Sequence, residues 1–360
     1  MSIQSTYVIA EAGVNHNGNL QRAFELVDAA AEAKADAIKF QTFKAEKLAL
    51  SKAPKAEYQI SQTGSSESQL AMLKQLELHE NSHFKIRDRC NLKGIQFLST
   101  PFDNNSLDFL TKTLKIPKLK IPSGEITNAP LLLKATASGK PLIVSTGMCE
   151  MEEVEIALGV LAFGFTKLRN KPSAGSFKIA FESPEGKKAL RDNITLLHCT
   201  SAYPAPIEDV NLKTMETMAS VFGLQVGYSD HTLGILVPIA AVARGAVVIE
   251  KHFTMDKSLP GPDHQASLDA EELKAMVKAI REVEKALGQS NKFSTPSEIE
   301  NRNVARKSLV TTKNIKAGEV FTENNIDIKR PGNGISPLQY WDWLGKKAER
   351  DFKADELLIP

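Results

Sequence analysis

Lys39 in IKFQTF and Lys120 in LKIPSGEITN each stand at the end of a short apolar run, within reach of hydroxyl-rich turns. Compact ammonium charges ringed by Thr100, Ser123, Ser145 and Ser229 suit an oxyanion or a phosphate. A Schiff base on Lys39 or Lys120 is the competing chemistry. His231 in GYSDHT and His252 in EKHFT end two further runs, an arrangement that suits a divalent transition metal. Asp230, Asp263, Glu11 and Glu125 supply carboxylates, but no third His or Cys stands at metal-site spacing. Such a site is therefore open, unlike a closed structural zinc. His16 and His264 are loop candidates for substrate contact. His198 reads as structural, and His79 and His83 as surface helix residues. Arg330, on the turn KRPGNG, reads as a guanidinium that a lid would bring to a pocket.

Taken singly, each of these residues has a bland reading as a solvated strand end or a core histidine. What carries weight is the rhythm that positions them. Apolar runs at Tyr7–Ala10, Ala37–Gln41, Ile95–Ser99, Leu119–Pro122, Leu142–Thr146, Ile194–Cys199, Gln225–Tyr228 and Ala246–Glu250 alternate with amphipathic stretches such as Leu20–Ala33, His83–Lys93 and Leu233–Arg244. Strand–helix alternation of this kind predicts right-handed βαβ units and a parallel sheet. The size fits a (β/α)8 TIM barrel, in which catalytic groups occupy the C-terminal strand ends. A doubly wound sheet is the runner-up, but AEAGVNHNG lacks the dinucleotide fingerprint G-x-G-x-x-G.

Two connections break the rhythm. Lys44–Leu78 leaves a strand end and reads as functional; Phe165–Asn193 precedes a strand and reads as a peripheral hairpin. The barrel is expected over residues 1–287, a polar linker over 288–304, and a small module over 305–360 that holds both tryptophans. At roughly 55 residues that module has little core of its own, so it is expected to dock on something larger.

The 360 residues carry 45 Lys+Arg against 43 Asp+Glu, which removes the electrostatic argument for a nucleic-acid partner while leaving room for a local anion pocket. No run approaches the ~20 apolar residues of a membrane span. The opening MSIQSTYVIAEAG has no signal-peptide pattern, and the scattered Cys90, Cys149 and Cys199 fit reduced thiols, so a cytoplasmic protein is expected.

The motifs YVIAEAGVNHNG, IKFQTF, FLSTPFD, LKIPSGEITN, IVSTGM, LLHCTSAYPAP, GYSDHT, EKHFT with GPDH, and KRPGNGIS together resemble the N-acetylneuraminate (sialic acid) synthase and bacterial nonulosonate synthase family. The resemblance implies a (β/α)8 barrel followed by an antifreeze-like (SAF) domain, in a domain-swapped homodimer. It implies condensation of phosphoenolpyruvate with an N-acylated hexosamine such as N-acetylmannosamine, assisted by Mn2+, with Mg2+ or Co2+ as substitutes. His231 and His252 then hold the metal, Glu125 stabilises an oxocarbenium-like centre, and Glu11 acts as general acid/base. Phosphoenolpyruvate contacts fall on Lys39, Thr100, Lys120, Ser123, Ser145 and Ser229, with Ser201 where the family has an amide. Sugar contacts fall on Gln41, Tyr203, Asp263 and the partner subunit's Arg330. Two further readings stand beside the N-acetylneuraminate one. One is a legionaminate synthase, which takes 2,4-diacetamido-2,4,6-trideoxymannose; the other is a Schiff-base lyase. A binding or structural role, prompted by the small module, is the non-enzymatic alternative.

Overall fold

The computed structural model describes residues 5–166 and 171–359. It divides into two units, residues 1–288 and 289–360. In the first, strands β1 (Tyr7–Gly13), β2 (Ala37–Thr42), β3 (Gln96–Pro101), β4 (Leu119–Ile121), β5 (Leu142–Ser145), β6 (Ile194–Cys199), β7 (Gln225–Asp230) and β8 (Val248–His252) alternate with helices. They form one parallel sheet in the order β3-β2-β1-β8-β7-β6-β5-β4, and β3 packs against β4 to close a TIM barrel. The strands are buried on both faces, which is why they read as near-continuous apolar runs.

Side chains alternate faces along each strand, and this alternation builds the site. Val8, Ala10, Ile38 and Phe40 face outward and join the core that also takes Ala23, Leu26, Val27 and Ala30 of the helix Leu20–Glu32. Ile9, Ala37, Leu98, Ile143, Leu197 and Val248 form a separate cluster, an apolar plug inside the barrel. Two residues further along the same strands stand Glu11, Lys39, Thr100, Ser145, Cys199 and Glu250. A plug of aliphatic side chains thus gives way to a polar layer in a single strand repeat. Parallel register keeps the layer level: Glu11 lies opposite Lys39 on β2 and His252 on β8, and Ser229 lies opposite Glu250.

All eight expected strands are present. Strands β1, β7 and β8 run on through Glu11, Asp230 and His252, so several residues expected just beyond strand ends are strand residues. The Phe165–Asn193 expectation needs correction where the residues are described, 167–170 lying outside them. It holds helices Ala174–Glu182 and Pro184–Asn193. Ser173 and Ser183 cap their first turns by accepting from the Ser176 and Gly186 amides at 3.2 and 2.9 Å. Phe177 packs edge-on against Phe163 of the helix Met151–Thr166, their ring centroids 5.4 Å apart, so the segment is part of the wall.

The stretch 288–304 contains most of a helix, Pro296–Ala305, started by Thr295 with Glu298 in a capping box. The second unit pairs β9 (Ser308–Thr311) with β10 (Ile326–Lys329) in antiparallel register over a small core that includes Leu309, Phe321, Ile326 and Leu358. Among the described residues, no helix is long and apolar enough to cross a membrane.

Candidate active site

The C-terminal ends of the barrel strands open into a cavity of about 550 Å3. Its wall includes Glu11, Lys39, Gln41, Thr100, Lys120, Ser123, Ser145, Ser201, Tyr203, Ser229, His231, His252 and Asp263. The barrel therefore brings together every residue to which the resemblance assigns a role except Glu125 and Arg330.

At the bottom lies a charged quartet. Lys39 Nζ sits 2.7 Å from Glu11 Oε2 and 3.5 Å from Glu250 Oε2, while Lys120 Nζ sits 3.2 Å from Glu250 Oε1. Lys39 also donates to Thr100 Oγ1 at 3.0 Å and Lys120 to Ser145 Oγ at 2.7 Å. Ser229 donates to Glu250 Oε1 at 2.9 Å. These side chains are at most 6% exposed, so the charges persist only because each is paired. Burial opposes the Lys39 charge, but Glu11 and Glu250 hold the ammonium above its usual value. Burial pulls Glu250 upward as well; Lys120 and Lys39 overcome it and bring the carboxyl to about 2. Burial wins at Glu11, raised to about 7 against the pull of Lys39. Burial also lowers Lys120, with Glu250 opposing. The quartet thus holds one firm carboxylate and one carboxyl poised near neutrality, the range useful for proton transfer. Among the described residues, Glu250 alone is ion-paired to both lysines. It stood among the polar strand ends in the sequence, but only register reveals it as their bridge.

Beside Lys120 the Ser123 hydroxyl accepts from the Gly147 amide at 2.9 Å and meets Cys199 Sγ at 3.2 Å. A Cβ on Gly147 would come within 2.9 Å of Ser123 Oγ and 2.8 Å of Cys199 Sγ, so this close approach requires glycine. Hydroxyls and ammonium groups converge here, a donor set for an anion.

The imidazoles occupy another stretch of wall, their centroids 5.6 Å apart. His231 Nδ1 donates to the Thr200 carbonyl at 2.7 Å, which fixes the tautomer and leaves Nε2 with a lone pair. His252 Nδ1 is buried without a hydrogen-bond partner, and Asp263 Oδ2 lies 4.0 Å from it. Burial lowers both histidines, keeping them neutral as metal ligation requires, and raises Asp263 to about 6. The donor set fits a divalent cation held by two imidazoles. Among the described residues no group of three His, Cys, Asp or Glu is assembled to hold one. Asp230 is not available to it, because it is enclosed and paired with Lys251 at 2.5 Å.

Several expectations change. Glu125 is half-buried in the turn Ser123–Glu125 and its Oε2 accepts from Asn128 Nδ2 at 2.7 Å, which holds the carboxylate off the cavity wall. Arg330 is exposed in the second unit, donating from Nε to the Ala305 carbonyl at 3.0 Å. His16 and His264 are buried and do not line the cavity; His264 bonds Thr254 Oγ1 at 2.7 Å and Asn17 Oδ1 at 3.1 Å. His83 is also buried, with Nε2 at 2.9 Å from Thr42 Oγ1, because its helix face packs on β2 and β3. His198 is structural, bonded to the Val210 carbonyl at 2.8 Å. The Lys44–Leu78 connection supplies wall residues that sequence reasoning did not single out, Tyr58 and Gln59 among them. Tyr58 stacks on Tyr203 at 4.9 Å and Tyr203 on His231 at 4.2 Å.

Comparison with known proteins matches the NeuB family to residues 26–292 and the SAF domain to residues 306–360. The chain is 48% identical to the N,N'-diacetyllegionaminic acid synthase of Campylobacter jejuni, with 99% of each chain covered. It is 47% identical to the enzyme of the same description from Legionella pneumophila, covering 99% of this chain and 94% of that one. Among solved structures, the N-acetylneuraminic acid (sialic acid) synthetase of Leptospira borgpetersenii is 33% identical with a TM-score of 0.66, covering 83% of this chain and 90% of that one.

Proposed function

This chain belongs to the NeuB family, and from that premise we propose that it condenses phosphoenolpyruvate with open-chain 2,4-diacetamido-2,4,6-trideoxymannose and water, giving N,N'-diacetyllegionaminate and phosphate. The observation that carries this reading is the pair of lysines, bridged by Glu250 and ringed by hydroxyls, in the same cavity as two neutral imidazoles. The names of the two legionaminate relatives favour this acceptor over N-acetylmannosamine. The apolar wall formed by Val14, Met72 and Leu76 suits a sugar without a hydroxyl on carbon 6. N-acetylmannosamine is the competing acceptor.

Lys39 and Lys120, with Thr100, Ser123, Ser145 and Ser229, hold the phosphate and carboxylate of the enol phosphate, and Ser201 adds a hydroxyl. Gln41, Tyr203 and Asp263 orient the acceptor so that its aldehyde carbon faces carbon 3 of the enol phosphate. His231 and His252 would hold a divalent cation, Mn2+ by the family resemblance, and when bound it would supply Lewis-acid polarisation of the aldehyde. Carbon 3 attacks that aldehyde and carbon 2 becomes cationic. Water adds to carbon 2, and the tetrahedral intermediate collapses by C–O cleavage to release phosphate. Glu11, its carboxyl near neutrality, serves as general acid/base for the water or the new alkoxide. Glu250 is a fixed negative charge near the cationic centre. Glu125 joins it only by giving up its bond to Asn128.

Lys39, ion-paired and held in its charged form, is a poor Schiff-base amine, which leaves Lys120, lowered by burial and paired with Glu250, as the one a lyase would use. Borohydride trapping with pyruvate is expected to give no adduct. The direct test measures phosphate release with phosphoenolpyruvate, Mn2+ and each acceptor. Sugar-dependent release is expected, with the higher kcat/KM for the diacetamido sugar; release with neither would overturn the reading.

A further inference from the structure

We propose that the connection after β2 is an acceptor-reading arm. Tyr58 is a specificity-determining residue for the acylamino substituents, and Lys55 is the positioning residue that seats it. The inference rests on the reading of the imidazole side of the cavity as the acceptor end.

Lys55 is an anomaly in its surroundings. It lies in a polar connection between exposed Pro54 and Ala56, yet its side chain is only 1% exposed. An ammonium is costly to bury unless all its donors are used. Here Nζ donates to Thr63 Oγ1 at 2.8 Å, to the Gly64 carbonyl at 3.0 Å and to Glu67 Oε1 at 3.2 Å. These acceptors sit at or just beyond the C-terminal end of the helix Glu57–Thr63, where a cation also meets the negative end of the helix dipole. Seven residues are too few to hold a helix by themselves. The lysine just before this helix therefore clamps its far end, fixing it as a rigid block.

The block presents one aromatic ring to the cavity. Tyr58 is the second residue of the helix, and its ring lies on Tyr203 at 4.9 Å and 29°. Tyr203 in turn covers His231 at 4.2 Å and meets His252 edge-on at 5.9 Å. A second tie runs from Gln62 Nε2 to Gln265 Oε1 at 2.8 Å, joining the arm to the loop after β8 that carries Asp263. The Tyr58 ring thus caps an aromatic stack that leads to the imidazoles. A planar acetamido group packs against such a face, and the phenol adds a polar tip.

The test uses the full-length chain with Mn2+ and compares Y58A, Y58F and K55M with the unmodified protein. Steady-state constants are measured for both acceptors and for phosphoenolpyruvate. Y58A is expected to lower kcat/KM for the preferred acceptor roughly tenfold or more and to narrow its lead over the other sugar. The KM for phosphoenolpyruvate should stay unchanged. Y58F separates ring from hydroxyl, and K55M is expected to follow Y58A. A stabilising shift of the melting temperature by phosphoenolpyruvate confirms that each variant is folded. An unchanged acceptor ratio in Y58A, or a phosphoenolpyruvate KM that rises in step with the acceptor's, would overturn the inference while leaving the proposed reaction intact. An unmodified protein inactive with both sugars would bring down both.

Discussion

His16 is wholly enclosed, its Nδ1 accepting from the Gly18 amide at 3.0 Å, and burial holds its pKa at about 3. The unfolded chain protonates this imidazole near 6.5. Between those values the unfolded state binds the extra proton, so stability is complete above about pH 6.5 and is lost as the pH falls towards the folded value. Each such histidine steepens acid destabilisation by up to ~1.4 kcal/mol per pH unit. His264, lowered to about 4 by burial, adds to the same window. In H16N the amide oxygen takes over the bond from Gly18 without a titrating proton. Denaturant titrations from pH 7 to 4 are expected to give a shallower fall for H16N than for the unmodified chain; parallel curves would remove His16 from the acid response. In sequence such a histidine is indistinguishable from a substrate contact in a glycine-rich loop. Only the packing around it separates the two.

The strands and their polar termini were legible because short apolar runs alternate with longer amphipathic stretches, the pattern of parallel strands buried on both faces. Lys39, Thr100, Lys120, Ser145 and Ser229 could be grouped from strand order alone, since a barrel places all C-terminal strand ends at one mouth. Contacts set by side-chain direction were not legible. Glu125 lies two residues past Ser123, yet the turn between them gives its carboxylate to Asn128. The Lys44–Leu78 connection could be marked as functional because it leaves a strand end, but nothing in its composition shows Lys55 folded inward. The segment 174–193 was misread for a different reason. Its place before a strand suggested a peripheral hairpin, whereas Ser173 and Ser183 cap two helices and Pro184 opens the second, where proline is favoured.

At the scale of the whole molecule, the second unit joins hydrophobic residues such as Phe321, Trp343 and Phe352 over a small antiparallel pair. It leaves Leu338 and Trp341 exposed at 89% and 76%. We propose that such a unit serves a domain-swapped homodimer, as the family resemblance implies, in which the partner subunit's Arg330 would complete each acceptor site. Mixing separately inactive K120M and R330A chains tests this. If the arginine acts across subunits, random pairing leaves about a quarter of the sites with both residues, and activity recovers to that level. Recovery of nothing would mean that each chain supplies its own arginine or none.

The plug of Ile9, Ala37, Leu98, Ile143, Leu197 and Val248 seals the barrel below the lysines. The cavity is therefore a well with one mouth, and traffic through it has to queue. The molecule that sits deepest arrives first, and whatever it leaves behind departs last. Phosphoenolpyruvate should load ahead of the sugar, and inorganic phosphate should follow the nine-carbon acid out. Competitive inhibition by phosphate against phosphoenolpyruvate, but not against the sugar, would be the kinetic mark of that order; the reverse pattern would deny it.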